Sequence, residues 1–323
     1  MKYENRKIII DTDPGIDDAF ALFFAMARPE FEILGITAVS GNSPVEATLA
    51  NALRIAAFAG KEGSIPVIRG HEKPLCVEPH LEAGEDCCHG IDGLGGSSIP
   101  CIKEGLQEGT AEDFILQTLA RNEPGSVTLV SIGPMTNVAA AIRKDPETMK
   151  RVREIYSMGG AVPGGNMTPV AEFNYWADPD AAAICYESGI PIRMVGLNAT
   201  EQIVLTDREA DRIRDYGEKI TDSLVPMLAH SFAYYKKECG LDGMIPHDLL
   251  AMEACLDPEL ITWKPCHVEI SCTKVTRGEC VADIVDAWKQ PKNCYVAGLV
   301  DRERFLRLFF EKLLPEKGKQ TKP

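Results

Sequence analysis

Short apolar runs alternate with longer helical patterns along most of the chain. The runs at 7–11, 31–39, 66–69, 126–132, 154–158 and 192–195 are mostly apolar. They show little polar alternation, as strands buried on both faces do. Between them, 17–27, 44–60, 111–121, 137–144 and 178–188 carry helical patterns. Two of these carry their own punctuation. Residues 17–27 begin with two aspartates, where the helix dipole favours negative charge. Residues 44–60 begin with Pro44 and end with Gly60. Further on, the pattern predicts helices over 207–217, 221–238 and 248–256. A late β pair follows at 268–272 and 279–284, then an amphipathic helix at 302–314.

Strands alternating with helices predict an α/β fold. We expect a single domain over 1–314, with an open, mostly parallel sheet (a Rossmann-like core), helices on both faces and the small late β pair. Crossovers should be right-handed. The tail 315–323 is rich in Lys and Pro and is expected to be disordered. Residues 70–109 have little periodicity, and a long irregular segment in a compact domain is more often functional than idle. Ligands of such sheets bind at the carboxyl ends of the strands.

Composition changes this picture little. The 323 residues are 25% charged, with a formal net charge of -14. That balance argues against nucleic-acid backbone or anionic lipid as the main partner. Asp11, Asp13, Asp17 and Asp18 interrupt any leader peptide, and no apolar run is long enough to span a bilayer, so a cytoplasmic location is expected. The eleven cysteines form no C-x-x-C pair. They are expected to be reduced and mostly buried.

The chemistry begins at Asp11-Thr12-Asp13-Pro14-Gly15-Ile16-Asp17-Asp18. Four carboxylates within eight residues stand where a strand gives way to a helix. Such like charges repel, and their pKa values rise unless something positive joins them. Helix capping accounts for one or two of them. A divalent cation accounts for all four, and all-oxygen ligands favour calcium or magnesium over zinc. An EF-hand does not fit, because Gly15 stands at the fifth loop position.

This segment resembles the signature of the nucleoside hydrolases of the inosine–uridine preferring type. The resemblance continues through Val39-Ser40-Gly41-Asn42, His89-Gly90-Ile91-Asp92-Gly93-Leu94 and Ile132-Gly133-Pro134-Met135-Thr136-Asn137. It goes on through Met158-Gly159-Gly160, Asn166-Met167-Thr168-Pro169, Glu172-Phe173-Asn174 and His247-Asp248. These blocks fall in family order over most of the chain. The resemblance implies calcium-dependent hydrolysis of the N-glycosidic bond of ribonucleosides. It also implies a homodimer or homotetramer and a role in nucleoside salvage.

Residue by residue, the resemblance implies that Asp13, Asp18, the backbone carbonyl of Ile132 and Asp248 hold the calcium. Asp13 is also the implied general base toward the attacking water, with inversion at C1′. Asp17, Asn42, Met158, Asn166, Glu172 and Asn174 are implied to contact the ribose. Asp11 should orient the metal ligands by hydrogen bonds. His247 is the implied acid for the leaving base. His89 should face the base, Phe173 should stack on it, and Tyr234 or Tyr235 should reach it. Read alone, Asn42 and Asn166 are also plain turn residues, and Asp248 is a helix cap. Trp176 reads as core. His71, His80, His230 and His267 match nothing in the family pattern.

Two other readings remain open at this level. A haloacid-dehalogenase-type phosphatase also starts with a strand ending in Asp-x-Asp, but Gly15 stands where that family has Thr or Val. A non-catalytic, calcium-dependent nucleoside-binding protein would use the same ribose contacts. No G-x-G-x-x-G follows the first strand, which disfavours a dinucleotide enzyme.

Overall fold

The structure, a computed structural model, describes residues 5–76, 88–102 and 105–313. The tail at 315–323, His80 and Cys87 lie outside the described residues. The strands are β1 Arg6–Thr12, β2 Phe31–Ala38, β3 Val67–Arg69, β4 Leu106–Gln107, β5 Val127–Ser131 and β6 Val152–Met158. They continue with β7 Ile192–Val195, β8 Ile261–Cys266, β9 Val268–Ile270, β10 Cys280–Ala282 and β11 Cys294–Val300. The helices are α1 Ile16–Ala27, α2 Val45–Phe58, α3 Ala111–Arg121, α4 Thr136–Lys144, α5 Pro146–Met149 and α6 Phe173–Ala177. After these come α7 Pro179–Glu187, α8 Leu197–Thr200, α9 Asp207–Tyr216, α10 Lys219–Cys239, α11 His247–Leu256 and α12 Arg302–Leu313.

Nine strands form one sheet in the order β4-β3-β2-β1-β5-β6-β7-β11-β8. All neighbours are parallel except β8, which runs antiparallel to β11. β9 and β10 form the expected late antiparallel pair. From β1 the chain first works outward through β2 to β4, then returns to the other side of β1 for β5. The strand order therefore reverses between β1 and β5. That reversal opens a crevice at their carboxyl ends.

The isoleucines of β1 show why its run is continuous. Ile8 and Ile10 point into the layer formed by α1, α2, α10, α11 and α12, while Ile9 points into the layer of α3, α4 and α7. All three are fully buried, which stabilises the fold by roughly 1.5–3 kcal/mol each. Helix α1 is buried almost all round and packs along α11; Phe20 meets Phe309 of α12 at 6.0 Å between ring centroids. This packing fixes the amino ends of α1 and α11 side by side.

Besides β4 and the short helices α5, α6 and α8, which the pattern does not predict, three features differ from the sequence reading. Strands β8 and β11 were not expected; β8 contains Lys264 and Pro265 and lies at the sheet edge, where a proline is tolerated. Trp176 is not core: it is half-buried, with the Arg277 guanidinium 4.4 Å from its ring centroid. The ten described cysteines are free thiols, as expected, but only five are buried. No described helix is long and apolar enough to cross a membrane.

Candidate active site

A cavity of about 350 Å³ opens at the carboxyl ends of β1, β2, β5 and β6. Its floor includes Asp17 of α1, Gly41 and Asn42 after β2, Ile132 after β5 and Met158 of β6. Phe173 and Asn174 of α6, Tyr234 and Tyr235 of α10, and His247 and Asp248 of α11 line the walls. Asn166, Glu172 and His89 also reach it. Thus most of the residues named from the sequence converge on one space. Asp13 and Asp18 adjoin this floor without solvent exposure.

The acids occupy fixed places. Asp18 accepts hydrogen bonds from Gly15 N–H at 2.8 Å, Asn42 Nδ2 at 3.2 Å and the Thr12 hydroxyl. Asp13 Oδ2 accepts from Asn42 N–H at 2.7 Å, but Asp13 Oδ1 is buried without a partner. Glycine makes the room: a Cβ at Gly41 would lie 2.0 Å from Asp13 Oδ2, and one at Gly133 would lie 2.5 Å from Asp13 Oδ1. Carboxylate oxygens of Asp17, Asp18 and Asp248 come within 4.8 Å of one another. Asp17, expected at the ribose, is therefore also one of the tightest trio.

The electrostatics follow from this crowding. Burial, and then Asp18, push Asp13 well above the usual carboxylate range. Burial and then Asp17 raise Asp18 to about 6. Burial raises Asp17 to about 6 as well. Asp248 is pushed up by burial and then by Asp17, Asp18 and Asp13. Among the described residues no lysine or arginine lines the cavity. Three buried acids and the half-buried Asp17, no lysine or arginine among the described lining residues, and an unpartnered carboxylate oxygen fit a hard divalent cation.

Asp11 stands apart from this trio. Its Oδ1 accepts from the Thr37 hydroxyl at 2.5 Å and from Asn137 Nδ2 at 2.8 Å. These bonds tie the end of β1 to β2 and α4. Burial raises Asp11 to about 7.

The opposite wall is held by backbone. Glu172 caps α6, accepting from Asn174 N–H at 2.8 Å, Gly160 N–H at 2.8 Å and Tyr175 N–H at 3.3 Å. Burial still lifts it to about 7. Asn166 Oδ1 accepts from Phe173 N–H at 3.0 Å. Asn174 Nδ2 donates to the carbonyls of Met158 at 3.1 Å and Ile132 at 3.3 Å.

Both site histidines are half-buried, and desolvation lowers them to about 4. They are neutral near pH 7. His89 Nδ1 accepts from Ile16 N–H at 3.0 Å, at the start of α1. Only glycine fits beneath it, since a Cβ at Gly15 would lie 2.4 Å from that nitrogen. His230, unmatched in the sequence reading, packs near the turn after His89, where Cβ atoms at Gly90 and Gly95 would lie 3.3 and 3.0 Å from it. His247 lies between Tyr235 Oη, 3.1 Å from Nε2, and Thr200 Oγ1, 2.8 Å from Nδ1. Of the two adjacent tyrosines, Tyr235 is the one bonded to His247.

Some wall residues carried no sequence signal, including Glu201, Ser231, Leu241, Met244 and Ile245. The last three give the cavity an apolar side suited to a flat ring. Thr200 carried none either; only its place just beyond a strand's carboxyl end hints at it.

Residues 8–307 match the family model for inosine-uridine preferring nucleoside hydrolases. The pyrimidine-specific ribonucleoside hydrolase RihA of Salmonella paratyphi B is 39% identical over 95% of this chain and 97% of its own length. A solved plant nucleoside hydrolase superposes with a TM-score of 0.90 at 33% identity, covering 96% of this chain and 99% of that one. A purine-preferring ribonucleoside hydrolase from Gardnerella vaginalis gives 0.89 at 33% identity, over 95% and 98%.

Proposed function

Since the chain belongs to the inosine-uridine preferring nucleoside hydrolases and is a ribonucleoside hydrolase, we propose that it splits purine and pyrimidine ribonucleosides into free base and ribose with one bound calcium ion. The relatives' names divide between pyrimidine-specific and purine-preferring enzymes, so both base classes belong in the assay. We further propose a cytoplasmic homodimer or homotetramer serving nucleoside salvage, with 1–314 as the working domain.

The observation that carries the proposal is the aspartate group, with no lysine or arginine in the cavity wall among the described residues. Asp13, Asp18, Asp248 and the Ile132 carbonyl would hold the calcium, and Asp17 would contact the ribose. Bound there, the ion would lower the pKa of a water and grip ribose hydroxyls.

The chain's own groups do the rest. Asp13 Oδ1, buried and free of hydrogen bonds, accepts a proton from the water that attacks C1′. Asn42 N–H keeps Oδ2 turned away from that task. Asp11 steadies the end of β1. Asn166, Glu172, Asn174 and the Met158 carbonyl frame the ribose. Phe173 stacks on the base and His89 faces it. The His247–Tyr235 pair supplies the hydrogen-bond donor to the departing base. A neutral imidazole suffices, because its one N–H can hold the Tyr235 oxygen and leave the Tyr235 O–H to donate.

Release of base from inosine, uridine, cytidine and adenosine, measured beside their 2′-deoxy forms, tests this reading. Ribonucleosides should turn over, and deoxy forms should lose roughly 10³-fold or more in kcat/KM, because the ribose-binding groups are left unpaired. Equal turnover of both sets would reject the ribose assignments.

A further inference from the structure

Three polar groups stand in line behind the base-side wall. Tyr235 Oη lies 3.1 Å from His247 Nε2, and His247 Nδ1 lies 2.8 Å from Thr200 Oγ1. Thr200 has no solvent exposure. It ends α8, and its backbone N–H is taken by the Gly196 carbonyl at 3.1 Å. Among the described residues its hydroxyl makes no other hydrogen bond.

The direction of the chain follows from donor accounting. A neutral imidazole has one nitrogen that donates and one that accepts. If Nδ1 carried the proton and gave it to Oγ1, the buried Thr200 O–H would have no acceptor. If the hydroxyl donates to Nδ1, its proton is satisfied and only oxygen lone pairs go unused. A stranded buried donor costs more than an unused lone pair. The proton then resides on Nε2. Nε2–H donates to the Tyr235 oxygen, which leaves the Tyr235 O–H free to turn into the cavity that Tyr235 lines.

We propose that Thr200 is a positioning residue that fixes the tautomer of His247, so that the chain Thr200–His247–Tyr235 ends in a hydrogen-bond donor facing the leaving base. This rests on the assignment of His247 and Tyr235 to the leaving group. Thr200 touches neither ribose nor base. Its hydroxyl acts at one remove, by denying Nδ1 the proton.

The test uses three variants of the full chain, Thr200→Val, Thr200→Ser and His247→Ala. Each is assayed on inosine, uridine and p-nitrophenyl riboside, whose leaving group departs without an acid. Thr200→Val should lower kcat on the two nucleosides roughly tenfold to hundredfold with KM little changed. It should leave p-nitrophenyl riboside at the unmutated rate, which also reports that the protein has folded. Thr200→Ser should restore nucleoside turnover. Ring nitrogen shifts from histidine-labelled protein should report the Nε2–H form of His247 in the unmutated chain and a tautomer mixture in Thr200→Val.

Full nucleoside turnover by Thr200→Val, while His247→Ala is impaired, would overturn the proposal alone. So would equal losses on all three substrates, or a Thr200→Ser protein as slow as the valine variant. Full turnover by His247→Ala would instead remove the leaving-group assignment on which the proposal stands.

Discussion

Asp248 and Glu253 sit on the same helix, both buried, and their surroundings differ in kind. Asp248 starts α11 and faces three other aspartates across the cavity floor. Glu253, further along, is fully buried, and neither of its oxygens has a hydrogen-bond partner. Just past the helix, Asp257 takes a third course: Arg304 donates to it through Nε at 2.5 Å and Nη2 at 2.8 Å. One acid has its pKa raised by burial, one is answered by a guanidinium, and the cluster, on our account, by an ion. Only the last arrangement leaves open coordination for a substrate. Burial and a raised pKa therefore do not mark an active site. What marks it is several acids converging where no basic side chain reaches them.

The comparison can be broken at each acid in turn. The largest effect belongs to the cluster. Asp13→Ala removes the base and an ion ligand together, so kcat should fall by more than the roughly 10²–10⁴ typical of losing one acid–base group. Turnover within tenfold of the unmutated rate would exclude Asp13 as the base.

At Asp257 the effect should fall on stability instead. Arg304→Ala takes both of these hydrogen bonds from a buried carboxylate and should cost about 3 kcal/mol in denaturant unfolding, with kcat unchanged in the folded protein. A loss of activity without a loss of stability would mean that this pair reaches the site.

Glu253 should give the smallest effect, with a distinctive pH dependence. Burial holds its pKa well above 4.5, with Asp257 adding to the rise and Arg28 only partly offsetting it. Below pH 4.5 the carboxyl is protonated in both folded and unfolded chains. Above it the unfolded chain releases the proton and the folded chain keeps it, so stability falls as pH rises toward the folded value. Glu253→Gln removes that slope. Its Tm should match the unmutated protein near pH 4.5 and exceed it by a few degrees, roughly 2 °C or more, at pH 8. A lower Tm for the variant at pH 8 would show that Glu253 is ionised and paired.

The sequence made this division half visible. The four acids at 11–18 were legible because they are local: density alone demands compensation. Strands β1, β2, β5, β6 and β7 were legible because each is mostly apolar and alternates with a helical pattern. β8 was not, because Lys264 and Pro265 interrupt it, and neither was β11, where Gly298 and the exposed Leu299 weaken the run. The helices α5, α6 and α8 span too few residues to show a period. The choice between Tyr234 and Tyr235 needed the helix phase that brings one hydroxyl to His247. Thr200 was illegible for the same reason: its partner is distant in sequence, and a lone threonine has no pattern. The difference between Glu253 and Asp248 was equally hidden, since both are acids within one helical stretch.

The central claim is that one hard ion joins the buried aspartates and is required for hydrolysis. The direct measurement is base release from inosine and uridine by chelator-treated protein, titrated with calcium while bound ion is counted. We predict background activity in the stripped protein and full recovery at one calcium per chain. Undiminished hydrolysis by protein shown to be free of divalent metal would contradict the account.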